Sequence, residues 1–135
     1  MCHVLIIEDE PLVAMDLEAL LEREGATSFA FAASQADAVR EAFSRRPDFI
    51  TSDVSLTEGT GPLAVEAIIK GLGRVPVIFI TGTPDACRPC DAGPVLSKPF
   101  NRTAIAKAFH DLVPAVANSS ARYRGRSDPE DLCSI

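Results

Sequence analysis

The chain has 135 residues, 47% of them hydrophobic, and a formal net charge of −6, enough for one domain with a buried core and a little spare. The acidic balance argues against nucleic-acid binding as the main activity, which needs a phosphate-neutralising surface. No apolar run approaches the length of a membrane span, and no basic region precedes an apolar stretch at the N-terminus. The expectation is therefore a cytoplasmic protein with neither membrane nor nucleic acid as partner. Cys2, Cys87, Cys90 and Cys133 are then expected as reduced thiols.

In chain order, His3–Ile7 reads as a continuous apolar strand buried on both faces of a parallel sheet. Glu8, Asp9 and Glu10 follow, and Pro11 suits the first turn of a helix. That helix runs to about Glu24, with Val13, Leu17, Leu20 and Leu21 as its apolar stripe and Gly25 as its stop. Ser28–Ala33 is a second, weaker strand. Ser34 looks like the N-cap of a helix from Gln35 to about Arg45, with Val39 and Phe43 one turn apart on its core side.

Phe49–Ser52 forms a third strand, ending at Asp53 and a loop with Glu58, Gly59, Gly61 and Pro62. A helix from Pro62 to about Lys70 stops at Gly71 and Gly73. Pro76–Ile80 is the fourth strand. Thr81 to Gly93 is short for a full helix, and Pro89 would break one. Val95–Ser97 is a brief fifth strand. Asn101 caps a last helix through about Val113, with Ile105, Phe109, Leu112 and Val113 facing inward. Residues 1–115 form the expected domain, and 116–135 read as a mobile tail, since the composition shifts to Ala, Ser, Asn, Arg and Gly. The tail's Arg122, Arg124 and Arg126 read as solvated charges.

Strands alternating with helices in this way predict an α/β, doubly wound, five-stranded parallel sheet. Its C-terminal edge, where such folds place ligands, would gather Glu8, Asp9, Asp53, Thr81 and Lys98. An Asp after a strand is by itself more often a cap or turn residue. The convergence changes that reading. Several carboxylates at one edge repel one another unless a cation joins them, and Mg²⁺ binds through a few carboxylates plus a phosphate. Glu8, Asp9 and Asp53 are the candidate metal ligands, with the main-chain carbonyl of Ser55 as a further one. Lys98 and the Thr81 hydroxyl would let the site hold a phosphoryl group, with Asp53 as nucleophile. With no Gly-rich phosphate loop, direct use of a nucleotide is not expected.

These residues resemble the receiver domain of two-component response regulators, over about Cys2 to Val113. The order is an acidic pair after strand one, an acceptor Asp after strand three, Thr after strand four and Lys-Pro after strand five. The resemblance implies a flavodoxin-like (CheY-like) fold, Mg²⁺ at Glu8, Asp9 and Asp53, and a cis Lys98–Pro99 bond. It implies phosphoryl transfer to Asp53 from a sensor histidine kinase or histidine phosphotransfer protein, and a Thr81-linked switch that signals to an unknown downstream protein. The run Phe79-Ile80-Thr81-Gly82 is also similar to a receiver subgroup with a Phe-Ala-Thr-Gly motif from bacterial general stress signalling, with Ile80 in place of the Ala.

The chain departs from the pattern between Thr81 and Lys98, which is several residues short, so the helix after the fourth strand is expected to be shortened or absent. The aromatic switch residue usual on the fifth strand is also missing. Cys87-Arg88-Pro89-Cys90 reads as two loop cysteines, with a redox pair or half of a zinc site as the sharper alternative. His3 and His110 read as ordinary strand and helix residues. The functional expectation is a single-domain response regulator, with little left in these residues for a separate output or enzymatic domain. The alternative is a pseudo-receiver, a constitutive binding module without phosphorylation. A haloacid-dehalogenase-type phosphatase is set aside because position 55 is Ser where that class needs Asp.

Overall fold

The computed structural model describes residues 1–84, 87, 89–99 and 101–113; the tail expected over 116–135 lies outside them. The elements are β1 (His3–Ile7), α1 (Pro11–Arg23), β2 (Ser28–Ala32), α2 (Gln35–Ser44), β3 (Phe49–Ser52), α3 (Gly61–Leu72), β4 (Val77–Thr81), β5 (Val95–Ser97) and α4 (Arg102–Leu112). All five strands are parallel, in the order β2-β1-β3-β4-β5. This is the flavodoxin-like doubly wound order, whose switch point lies between β1 and β3.

The side-chain period of two divides each buried strand between two cores. Val4 and Ile6 of β1 join Phe49, Ile78 and Ile80 under α1 and α4, where Phe109 meets Phe49 edge to face at 5.0 Å between centroids. Leu5 and Ile7 join Ile50, Val77 and Phe79 under α2 and α3. Leu17, Leu20, Leu21, Ile105, Phe109 and Val113 are buried as the periodicity requires, while Val13 and Leu112 pack half-buried at the rim. Caps fix three helix starts: Ser34 Oγ accepts from the Asp37 N–H, Thr60 Oγ1 from Leu63 and Asn101 Oδ1 from Ala104.

Phe43 does not face the core. It is 50% exposed, and Ala38 and Ala42 are the buried residues of α2. Helix α2 lies so close to α3 and the sheet that its own buried residues are alanines, while α3 contributes Val65 and Ile68 to the same core. The Phe43 ring lies outside, over the bare backbone of Gly71, where a Cβ would stand 2.4 Å from it. Gly71 thus stays inside α3, and the helix stops at Gly73, whose φ of 87° suits glycine.

No α-helix lies between β4 and β5 among the described residues. The connection is anchored instead by the Cys87 N–H donating to the Pro84 carbonyl (3.2 Å) and the Phe79 N–H donating to the Pro94 carbonyl (2.9 Å). Cys87 is buried in the α2–α3 core and is joined to Cys90 in a disulfide, with Cα atoms 5.6 Å apart. Cys87 and Cys90 are therefore not the reduced loop thiols expected: their Cα atoms stand close enough for the two side chains to meet.

His3 and His110 are structural. His3 is buried, with Nδ1 2.8 Å from Ser28 Oγ, and His110 Nε2 lies 2.7 Å from Glu24 Oε1, tying α4 to the end of α1. No helix among the described residues is long and apolar enough to cross a membrane.

Candidate functional site

The register of the sheet builds the site. Ile7 pairs with Ser52 and Ser52 with Phe79, so the residues leaving β1 and β3 emerge side by side. The Asp53 N–H donates to the Ile7 carbonyl at 2.9 Å, continuing the ladder one residue past the strand. Its side chain is then held at the edge, where Oδ1 accepts from the Val54 N–H at 2.7 Å. On the next turn of chain, Gly61 donates its N–H to the Val54 carbonyl at 3.0 Å. A Cβ at Gly61 would sit 1.8 Å from the Asp53 carbonyl oxygen, so only glycine lets α3 begin so close beneath Asp53.

Lys98 enters from the far side. Its N–H donates to the Thr81 carbonyl at 2.8 Å, and the Lys98–Pro99 bond is cis, as expected. Its Nζ reaches Asp53 Oδ2 at 3.2 Å and Glu8 Oε1 and Glu10 Oε1 at 3.4 Å each. Burial works to lower the Lys98 ammonium, but the charges of Glu8 and Asp53 together outweigh it and raise its pKa above the ordinary value.

Carboxylate oxygens of Glu8, Asp9, Glu10 and Asp53 all lie within 4.8 Å of one another. Among the described residues the Lys98 ammonium is what faces these four acids, and it does not balance them. The imbalance falls on Glu8, the most buried: desolvation first, and then the Asp53 charge, push its pKa up to about 7 against the opposing pull of Lys98. An all-oxygen donor set with excess negative charge fits a hard divalent cation such as Mg²⁺.

Glu8, Asp9, Asp53 and Lys98 are thus brought together as the sequence predicts. Thr81 is buried at the end of β4, and its Oγ1 accepts from the Thr83 N–H at 3.0 Å. Ser55 is exposed and bridges to Thr60. Two neighbours went unforeseen. Glu10 reads in sequence as one more acid at a helix start, but contacts Lys98. Thr57 donates its hydroxyl to Asp9 Oδ2 at 3.0 Å, and nothing in its loop context marks it.

The family model for the response regulator receiver domain matches residues 4–110. The chain belongs to the response regulator receiver family. This receiver is 47% identical over 85 residues to the phyllosphere-induced regulator PhyR of Methylorubrum extorquens, covering 62% of the chain and 32% of that protein. It spans about a third to a half of the length of the curated relatives it matches. Among solved structures, the anti-anti-sigma factor PhyR of Bartonella quintana superposes with a TM-score of 0.73 at 33% identity, over 89% of this receiver and 50% of that chain. The receiver domain of a Pseudomonas aeruginosa sensor histidine kinase, solved with a magnesium ion coordinated in its active-site cleft, superposes with a TM-score of 0.73 at 28% identity, over 82% and 96%.

Proposed function

We propose that this receiver accepts a phosphoryl group on Asp53 and signals through a phosphorylation-dependent protein contact in the cytoplasm. The single observation that carries the reading is the Lys98 ammonium 3.2 Å from Asp53 Oδ2, inside a cluster of four acids. An Asp53 carboxylate oxygen attacks the phosphorus of a phosphohistidine on a histidine kinase or phosphotransfer protein. The P–N bond breaks, the imidazole nitrogen leaves with the electron pair, and an acyl phosphate remains on Asp53.

Lys98 neutralises developing charge on the phosphoryl oxygens, and the Thr81 hydroxyl, whose oxygen accepts from the Thr83 N–H, donates its proton in a hydrogen bond to the new group. Glu8, Asp9 and Asp53, with the Ser55 carbonyl, would hold Mg²⁺, which supplies further charge on the oxygen side. Leu12 and Met15, 76% and 61% exposed on α1 beside the acids, offer a protein donor an apolar ledge. An anti-sigma factor is the first downstream partner to test, since the Bartonella relative is named an anti-anti-sigma factor.

Titration with Mg²⁺ tests the site directly. The expected result is millimolar binding that is lost in Asp53→Ala and in Asp9→Ala, and unchanged binding in both variants would contradict it. The alternative, a constitutive binding module, draws on the altered connection after β4, where no α-helix lies among the described residues. Such a module would show the same partner affinity with and without phosphodonor.

A further inference from the structure

Among its described residues, the connection between β4 and β5 holds no α-helix but carries a buried sulfur and a crosslink. Cys87 is 3% exposed within the α2–α3 core, while Cys90 is half-buried at its rim. A Cα–Cα separation of 5.6 Å lies in the usual range for a disulfide, so no backbone movement is needed to make the bond. Residues flanking Cys90 line one wall of an open groove of about 810 Å³ whose other wall is α3, with Pro89 and Ala92 facing Pro62, Leu63 and Glu66. The connection leaves from Thr81 and returns just before Lys98, so its conformation is shared with the site at the sheet edge.

We propose that Cys87 and Cys90 form an oxidisable dithiol, a modification site that takes a hydroperoxide and, once closed, pins the β4–β5 connection against α3. Cys90 is the accessible sulfur and reacts first. Its thiolate attacks the peroxide O–O bond, one oxygen leaves as water after taking up a proton, and the other stays on Cys90 as a sulfenic acid. The Cys87 sulfur then attacks the Cys90 sulfur; the S–S bond forms, the S–O bond breaks and the second oxygen leaves as water. Two thiols thus give up two protons and two electrons to one hydrogen peroxide. A dithiol reductant reverses the step by exchange. In the reduced state the two sulfurs must separate to non-bonded contact. Cys87 is held in the core, so the Cys90 side chain turns away and the groove wall at Pro89–Ala92 loses its tie to that core.

The test uses the full chain with hydrogen peroxide or dithiothreitol, alkylation of remaining thiols, peptide mapping, and amide hydrogen exchange. Arg88 and Lys98 each precede a proline, so trypsin leaves Cys87 and Cys90 together in one peptide from Val75 to Arg102. After peroxide this peptide should lack two hydrogens and resist alkylation at both sulfurs. After reduction both should alkylate, Cys90 before Cys87, with amide exchange over 89–93 several-fold faster. Cys90→Ser should show the fast exchange under both conditions. Higher oxides on Cys90 with Cys87 still alkylatable, pairing of either sulfur with another cysteine, or equal exchange in the two redox states would overturn the proposal.

Discussion

At the scale of single residues, Glu8 carries the strain of the site. Its folded pKa of about 7 stands above its ordinary 4.5, so between these values the folded protein holds a proton that the unfolded chain has lost. Stability then falls as pH rises through that window. In Mg²⁺-free buffer, Glu8→Gln should be more stable than the parent by about 1–3 kcal/mol above pH 7, with the gap closing toward pH 4.5. Denaturation curves at several pH values check this, and parallel curves would contradict it. Added Mg²⁺ should narrow the gap.

Gly61 is the opposite kind of residue, silent in chemistry and strict in space. Gly61→Ala should cost about 1–3 kcal/mol and displace Asp53, so that Mg²⁺ affinity falls with stability. Thermal melts and Mg²⁺ titration of the same variant check both. The chemical groups Asp53, Glu8, Asp9 and Lys98 were legible in the sequence because each closes or follows an apolar run, and parallel strands deliver such ends to one edge. Glu10 and Thr57 were not, because contact with Lys98 and Asp9 depends on how two loops pass one another, which periodicity does not encode.

At the scale of elements, helices were readable by face but not by distance. Leu17, Leu21, Ile105 and Phe109 fall where a period of 3.6 puts them. Phe43 obeys the same period and still lies outside, since the closeness of α2 to α3 over Ala38, Ala42 and Gly71 decides what fits. Phe109→Ala, which removes the ring packed on Phe49, should lose about 3–5 kcal/mol, read as a lower denaturant midpoint with an unchanged slope. Phe43→Ala should cost less than half as much. The β4–β5 connection shows the same limit from another side. Its short length and prolines announced a shortened or absent helix, but the Cys87–Cys90 spacing read as two loop thiols ahead of a redox pair, and the structure joins them in a disulfide.

At the scale of the whole molecule, five parallel strands in the order β2-β1-β3-β4-β5 make one edge the meeting place of acids, ammonium and hydroxyl. The fold exists in many receivers, and the chemistry here follows from which residues stand at that edge. The central claim is that Asp53 becomes a phosphoryl acceptor, and intact mass measures it most directly. Incubation with phosphoramidate and Mg²⁺ should add one phosphoryl group to the parent protein and none to Asp53→Ala, with the label removed by hydroxylamine as an acyl phosphate requires. Equal labelling of the Asp53→Ala protein, or no labelling of the parent even with a histidine-kinase donor, would contradict the account and leave the fold as a binding module.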